Sequence, residues 1–157
     1  MERIWAPWRV EYIKGEHPKG CIFCDKCKQN RDEENLILFR DKFNFVIMNL
    51  YPYNPGHLMV VPFRHLNKLE DLNAEERNEH YALLSRTVGI LRQVSKADNF
   101  NIGMNLGRTA GAGIDDHIHT HIVPRWNGDN NFMPVIAETR VISESIKDIY
   151  HRLKVKF

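Results

Sequence analysis

The sequence predicts an α+β fold: an antiparallel five-stranded sheet with a long helix between strands and a C-terminal helix. Three observations carry this. Five short segments are rich in β-branched and aromatic residues or alternate with period two. One long segment between them repeats its apolar residues at helical spacing, and the end of the chain does so again. The strands and helices do not alternate strictly, as they would in a parallel sheet.

The strands begin at Leu36. L-I-L-F and F-N-F-V-I-M-N-L come first, then the turn Y-P-Y-N-P-G (Tyr51 to Gly56), then H-L-M-V-V-P-F (His57 to Phe63). The spacing suits an antiparallel pair. A helix follows, capped by Asn73 with Glu76 as its capping-box partner. Tyr81, Leu84, Val88, Leu91 and Val94 form its apolar stripe, and Glu75, Arg77, Glu79, Arg86 and Arg92 read as a solvated face. In N-F-N-I-G-M-N-L (Asn99 to Leu106), apolar residues alternate with Asn and Gly, which makes a strand with one polar face. A Gly-rich loop, Gly107 to Gly113, leads to the last strand, His117 to Val123, stopped by Pro124. The final helix is expected over about Ser143 to Lys154, with Ile146, Ile149, Tyr150 and Leu153 on one face.

A chain of 157 residues suits one domain with a real core. Residues 1–35 read as an N-terminal arm with a C-x-x-C pair, 36–133 as the core, and 134–157 as the C-terminal segment and helix. Trp5 and Trp8 read as packing anchors for the arm. The 22 basic and 20 acidic residues leave a net charge of +2, which does not argue for nucleic-acid binding. No apolar run reaches membrane-spanning length, and the first twenty residues lack a signal core, so a cytoplasmic protein is expected. The three cysteines lie together in C-I-F-C-D-K-C, Cys21 to Cys27. An odd, clustered set argues for a metal site or free thiols rather than a disulfide framework.

The stretch D-D-H-I-H-T-H-I-V-P-R-W carries the functional signal. In a strand, His117, His119 and His121 share one face, and Ile118, Thr120 and Ile122 the other. Solvated or structurally satisfied histidines explain a lone imidazole better than three at strict period two. A three-histidine catalytic zinc site is awkward, because same-face residues are roughly 6 to 7 Å apart along a strand. Attack on phosphorus fits best. A neutral imidazole is a nucleophile, a neighbouring one donates to the leaving oxygen, and the Gly-rich loop offers N–H groups to phosphate.

H-I-H-T-H-I-V resembles the signature of the histidine triad family: His, apolar, His, apolar, His, apolar, apolar. Thr120 departs from it. N-L-Y-P-Y-N-P-G-H-L-M-V-V-P (Asn49 to Pro62) is similar to the family's upstream strand–turn–strand, and Arg64–His65 matches a basic residue and histidine common in members. The W-A-P-W-R arm, the G-A-G loop and P-R-W-N-G-D-N-N-F look most like the branch that holds the diadenosine polyphosphate phosphorylases. The resemblance implies that His119 attacks the α-phosphate of a dinucleoside polyphosphate and forms a nucleotidyl–histidine, which a second acceptor then releases. It implies that His121 hydrogen-bonds the leaving oxygen and that His57 supports the cluster. Asn49 meets the ribose, and Asn105 with the loop that includes Gly111 and Gly113 cradles phosphate. Hydrolases and phosphoramidases of the family commonly place Gln or Ser shortly before the first histidine, where this chain has G-A-G-I-D-D. That favours inorganic phosphate as acceptor. Asp115 and Asp116 would repel a phosphate chain, so at least one is expected to point away. A phosphoramidase-like hydrolase and a nucleotide-binding sensor with little turnover are the alternatives.

Alone, the C-x-x-C pair reads equally as two reduced thiols. The resemblance, which extends to the related galactose-phosphate uridylyltransferases, implies a structural zinc held by Cys21, Cys24, His65 and His117, with no catalytic cofactor. Cys27 is then a free thiol, and His17, His80 and His151 are surface residues. The resemblance also implies a homodimer whose sheets join across the interface.

Overall fold

The computed structural model describes residues 20–129 and 144–157. Trp5, Trp8, His17 and Ser143 lie outside the described residues. Two short helices, α1 (Ile22–Lys28) and α2 (Asp32–Asn35), precede strands β1 (Ile37–Arg40), β2 (Asn44–Met48) and β3 (Leu58–Pro62). Helix α3 (Ala74–Ser95) leads to β4 (Asn99–Gly103) and β5 (Thr120–Arg125), and α4 (Ile146–Lys154) closes the chain. The sheet has five strands in the order β1-β2-β3-β5-β4, and every pairing is antiparallel.

Period two explains how this sheet is covered. Val46, Met48, Leu58, Val60 and Ile122 point to one side and pack with Leu83 and Leu91 of α3 and Ile149, Tyr150 and Leu153 of α4. Phe45, Ile47, Met59 and Val61 point to the other side and pack with Phe23 of α1. Every residue of β2 and β3 is therefore buried. At the turn between them, Gly56 has φ +76, and a Cβ there would meet Leu91 Cδ2 at 3.4 Å and Pro124 Cγ at 3.5 Å. Glycine satisfies both the backbone and the close approach.

The capping box of α3 is present. The Asn73 side chain accepts from Glu76 N–H at 2.9 Å, and the Glu76 carboxylate accepts from Asn73 N–H at 2.9 Å. That carboxylate also takes a two-pronged hydrogen bond from Arg64, at 2.8 and 2.7 Å, so it joins the exit of β3 to the start of α3.

Four expectations change. The buried stripe of α3 is Glu76, His80, Leu83, Thr87 and Leu91, while Tyr81 is 72% exposed. The polar groups at 76 and 80 are hydrogen-bonded inward, which rotates the stripe away from the purely apolar phase. Glu79 is no solvated residue: its carboxylate accepts from Phe43 N–H and Asn44 N–H at 2.7 and 2.9 Å. Strand β4 ends at Gly103 and is exposed along most of its length, because it is the sheet's edge. Strand β5 starts only at Thr120 and runs through Pro124 to Arg125. Pairing with β3 covers Thr120 to Ile122 alone, so a proline at 124 interrupts no bond to β3.

Candidate active site

The three histidines enter the sheet rather than lie along it. Upstream of Thr120 the ladder to β3 gives way, and Ile118 N–H donates to the Leu66 carbonyl at 2.8 Å. His117 and His119 sit on this entry segment and are buried. His121 is on β5, opposite Met59 of β3 and Gly103 of β4.

Hydrogen bonding fixes which nitrogens carry protons. A carbonyl only accepts, so the 2.9 Å contact from His119 Nδ1 to the His117 carbonyl puts a proton on Nδ1. Nε2 of His119 is then the basic, nucleophilic nitrogen. Burial lowers the His119 pKa and keeps the ring neutral. Behind it, Tyr53 N–H donates to His57 Nδ1 at 3.1 Å. His57 must therefore carry its proton on Nε2, which donates to His121 Nδ1 at 2.9 Å. That leaves the His121 proton on Nε2. His57 is fully buried, and burial, reinforced by His121 and His119, pushes its pKa down to about 3. It is a neutral relay, not a cation. Tyr53 stacks on His57 with centroids 4.9 Å apart, and the His119 and His121 rings meet edge-on at 4.8 Å.

The residues expected at the site converge. His119 and His121 open onto a cleft of about 900 Å³, mouth included, which Asn49, Asn105, Gly111 and Gly113 also line. Asn49 is held at its position because its side-chain oxygen accepts from Tyr51 N–H at 2.9 Å, and its amide lies 3.3 Å from the His57 ring. Gly111 has φ +91, a conformation that favours glycine. Much of the remaining wall is apolar, with Ile22 and Phe23 from α1, Ile47, Leu50 and Met59, and Lys26, Tyr51 and Tyr53 also line it. Asp115 lies 3.6 Å from Arg108 and Asp116 lies 3.9 Å from His65 Nε2, and neither lines the cleft.

Cys21, Cys24, His65 and His117 present ligand atoms that all lie within 4.8 Å of one another. Cys21 Sγ is 3.2 Å and Cys24 Sγ 3.6 Å from His117 Nδ1, and Cys24 Sγ is 3.4 Å from His65 Nδ1. These separations fit the edges of a tetrahedron with metal–ligand bonds of about 2.0–2.3 Å. The donor chemistry fits as well. His117 Nε2–H donates to the Pro62 carbonyl at 2.9 Å, which leaves Nδ1 with its lone pair aimed at the thiols. Burial pushes the Cys21 thiol up to about 11, so a thiolate there calls for a neighbouring cation. Cys27 stands apart, with its thiol donating to the Cys24 carbonyl at 3.3 Å.

The chain is matched by the model of the HIT domain family over residues 30–128. The chain belongs to the HIT domain family. Among relatives, an AP-4-A phosphorylase of Mycobacterium tuberculosis is 38% identical over 156 residues, covering 94% of this chain and 80% of that one. A bis(5'-adenosyl)-triphosphatase of Saccharomyces cerevisiae is 32% identical over 95 residues, covering 60% of this chain and 46% of that one. A zinc-bound histidine triad family protein from Mycobacterium smegmatis superposes with a TM-score of 0.69 at 25% identity, covering 87% of this chain and 92% of that one.

Against the HIT motif, the expectation of a surface His80 is wrong. His80 is buried, with Nδ1 2.7 Å from the Asn44 side-chain oxygen and Nε2 2.7 Å from Thr120 Oγ1. Asn44 donates through its amide to Glu79 at 3.1 Å, so His80 Nδ1 donates to Asn44 and the Thr120 hydroxyl donates to Nε2. The signal was present in the sequence: Thr120 is the one polar residue at an apolar position of the motif. His151, by contrast, is exposed. Tyr53, Phe23 and Lys26 also belong to the site and carry no motif of their own. Phe23 packs its ring 5.1 Å from that of His119.

Proposed function

We propose that this HIT protein cleaves dinucleoside polyphosphates of the diadenosine tetraphosphate kind through a covalent nucleotidyl–His119. The observation that carries the reading is the proton order Tyr53 N–H to His57, His57 to His121, with a lone pair left on His119 Nε2. Nε2 attacks the α-phosphorus, a P–N bond forms, and the bridging P–O bond breaks. His121 Nε2–H donates to the departing oxygen. Asn49 holds the ribose, the apolar end of the cleft takes the base, and Asn105 with Gly111 and Gly113 receives the phosphates. The acceptor is inorganic phosphate. Its oxygen attacks the phosphorus, the P–N bond breaks, and ADP leaves. The 38% identical AP-4-A phosphorylase supports this choice, as does the stretch G-A-G-I-D-D (Gly111 to Asp116), which has no amide or hydroxyl side chain before the first histidine.

Cys21, Cys24, His65 and His117 hold a structural zinc in this reading. When bound, zinc supplies a cross-link between α1 and the entry to β5, and the reaction itself runs on His119, His121 and His57. The protein is a single-domain homodimer joined along the β4 edge and works in the cytoplasm. No helix among the described residues is long and apolar enough to cross a membrane.

The test is turnover of diadenosine tetraphosphate by wild type and His119→Ala, with and without phosphate, products resolved by chromatography. Phosphate-dependent ADP plus ATP is expected, with the variant's rate down by at least about 10³-fold. AMP plus ATP without phosphate would make the protein a hydrolase. A His119→Ala variant at wild-type rate would remove the nucleophile assignment.

A further inference from the structure

Among the described residues, Lys26 is the single lysine or arginine that lines the cleft. It sits on α1, three residues after Phe23 and four after Ile22, so the three share one helix face. Phe23 abuts the His119 ring, and Lys26 lies about one helical turn, roughly 5 Å, along the helix from Phe23. Its side chain is half-buried, and among the described residues its ammonium has neither a hydrogen-bond nor an ion-pair partner. Its helix also carries Cys24 of the metal cluster, so the position of Lys26 is tied to the entry segment of the histidines. It shares the cleft with the apolar side chains of Ile22, Ile47, Leu50 and Met59, which suit a flat ring better than a phosphate.

A cation held among apolar walls without a partner wants an acceptor from the ligand. From these features we infer that Lys26 reads the edge of the nucleobase and selects a 6-oxopurine over a 6-aminopurine. The inference rests on the nucleotide reading above. An ammonium has three donors and no acceptor. Guanine presents two adjacent acceptors, N7 and O6, whereas adenine presents N7 beside an amino donor. One lysine thus meets guanine with two attractive contacts and adenine with one attractive and one opposed. Lys26 is a specificity-determining residue, and the substrate class it favours is a guanosine-containing dinucleoside polyphosphate.

The experiment is calorimetric binding of GMP and AMP to wild type, Lys26→Met and Lys26→Arg, with turnover of diguanosine and diadenosine tetraphosphate run beside it. Wild type is expected to bind GMP at least fivefold tighter than AMP. Lys26→Met is expected to lose about tenfold for GMP and less than threefold for AMP, and Lys26→Arg to keep most of the preference. An unchanged GMP to AMP ratio in Lys26→Met overturns the inference. Equal losses for both nucleotides also overturn it, because they put the ammonium on the shared phosphate or ribose. Turnover separates this from the parent reading. If wild type cleaves both dinucleotides and the ratio does not move, only the role of Lys26 falls. If neither is cleaved while the GMP preference moves with Lys26, the base contact stands and the dinucleotide reaction falls.

Discussion

His80 joins the start of β5 to the core through two 2.7 Å hydrogen bonds. Burial pushes its pKa down to about 4, from 6.5 in the unfolded chain, with Glu79 pulling weakly the other way. The unfolded state therefore binds the proton more readily. The stability due to a neutral His80 is fully present above about pH 6.5 and is lost as pH falls toward 4. The full shift corresponds to roughly 3 kcal/mol. His57, at about 3, adds a loss over the same window. His80→Leu should flatten urea-derived stability between pH 7 and 4 relative to wild type. At pH 7 it should cost about 2 kcal/mol, because the Asn44 oxygen and Thr120 hydroxyl lose their partner. Adding Thr120→Val should return part of that cost. Parallel pH profiles for wild type and His80→Leu would show that the residue does not titrate on unfolding. Thr120 was legible as an oddity of the motif. Its partner was not, since nothing local distinguishes a buried histidine from an exposed one when the partner is 40 residues away.

Helix α1 is too short to stand alone, and its seven residues are held by what they touch. Phe23 enters the core, and Cys21 and Cys24 meet His65 and His117. Metal removal should therefore act first on this element. Chelation of the purified protein, followed by thermal melting, is expected to lower the Tm by at least about 10 °C. Activity should fall with it, because Ile22 and Phe23 are part of the cleft wall. Loss of activity at an unchanged Tm would instead argue for a metal in the chemistry. The five strands were legible from runs of β-branched and aromatic residues or period-two alternation of residue type, and α3 and α4 from apolar residues at helical spacing. The start of β5 and the phase of α3 were not. Both are set by distant hydrogen bonds, Ile118 to Leu66 in one case and His80 to Thr120 in the other. The four metal-cluster residues came from family likeness, since C-x-x-C alone is ambiguous and its histidines lie 41 and 93 residues further on.

For the whole molecule, the open question of the fold is its edge. Among the described residues, strand β4 pairs only with β5, and Ile102 on it is 48% exposed. An exposed apolar edge strand invites a partner. Sedimentation velocity should give twice the chain mass for wild type, and Ile102→Lys should shift the protein to monomer. A wild-type monomer at micromolar concentration would rule out a dimer joined along β4. Charge offers no alternative glue, because a net +2 is too small to drive or prevent self-association.

Two of the bonds that set the tautomers of the site, His119 to the His117 carbonyl and Tyr53 N–H to His57, use peptide groups. Point mutation exchanges side chains and leaves peptide groups in place. At position 53 only proline deletes the donor, and at position 117 no coded residue deletes the acceptor. The protonation pattern of the site is thus insulated from most single-codon change at the residues that write it. Substitution at 53 or 117 reaches it only by moving the chain, and the one side chain that reaches it directly is His57, through its bond to His121.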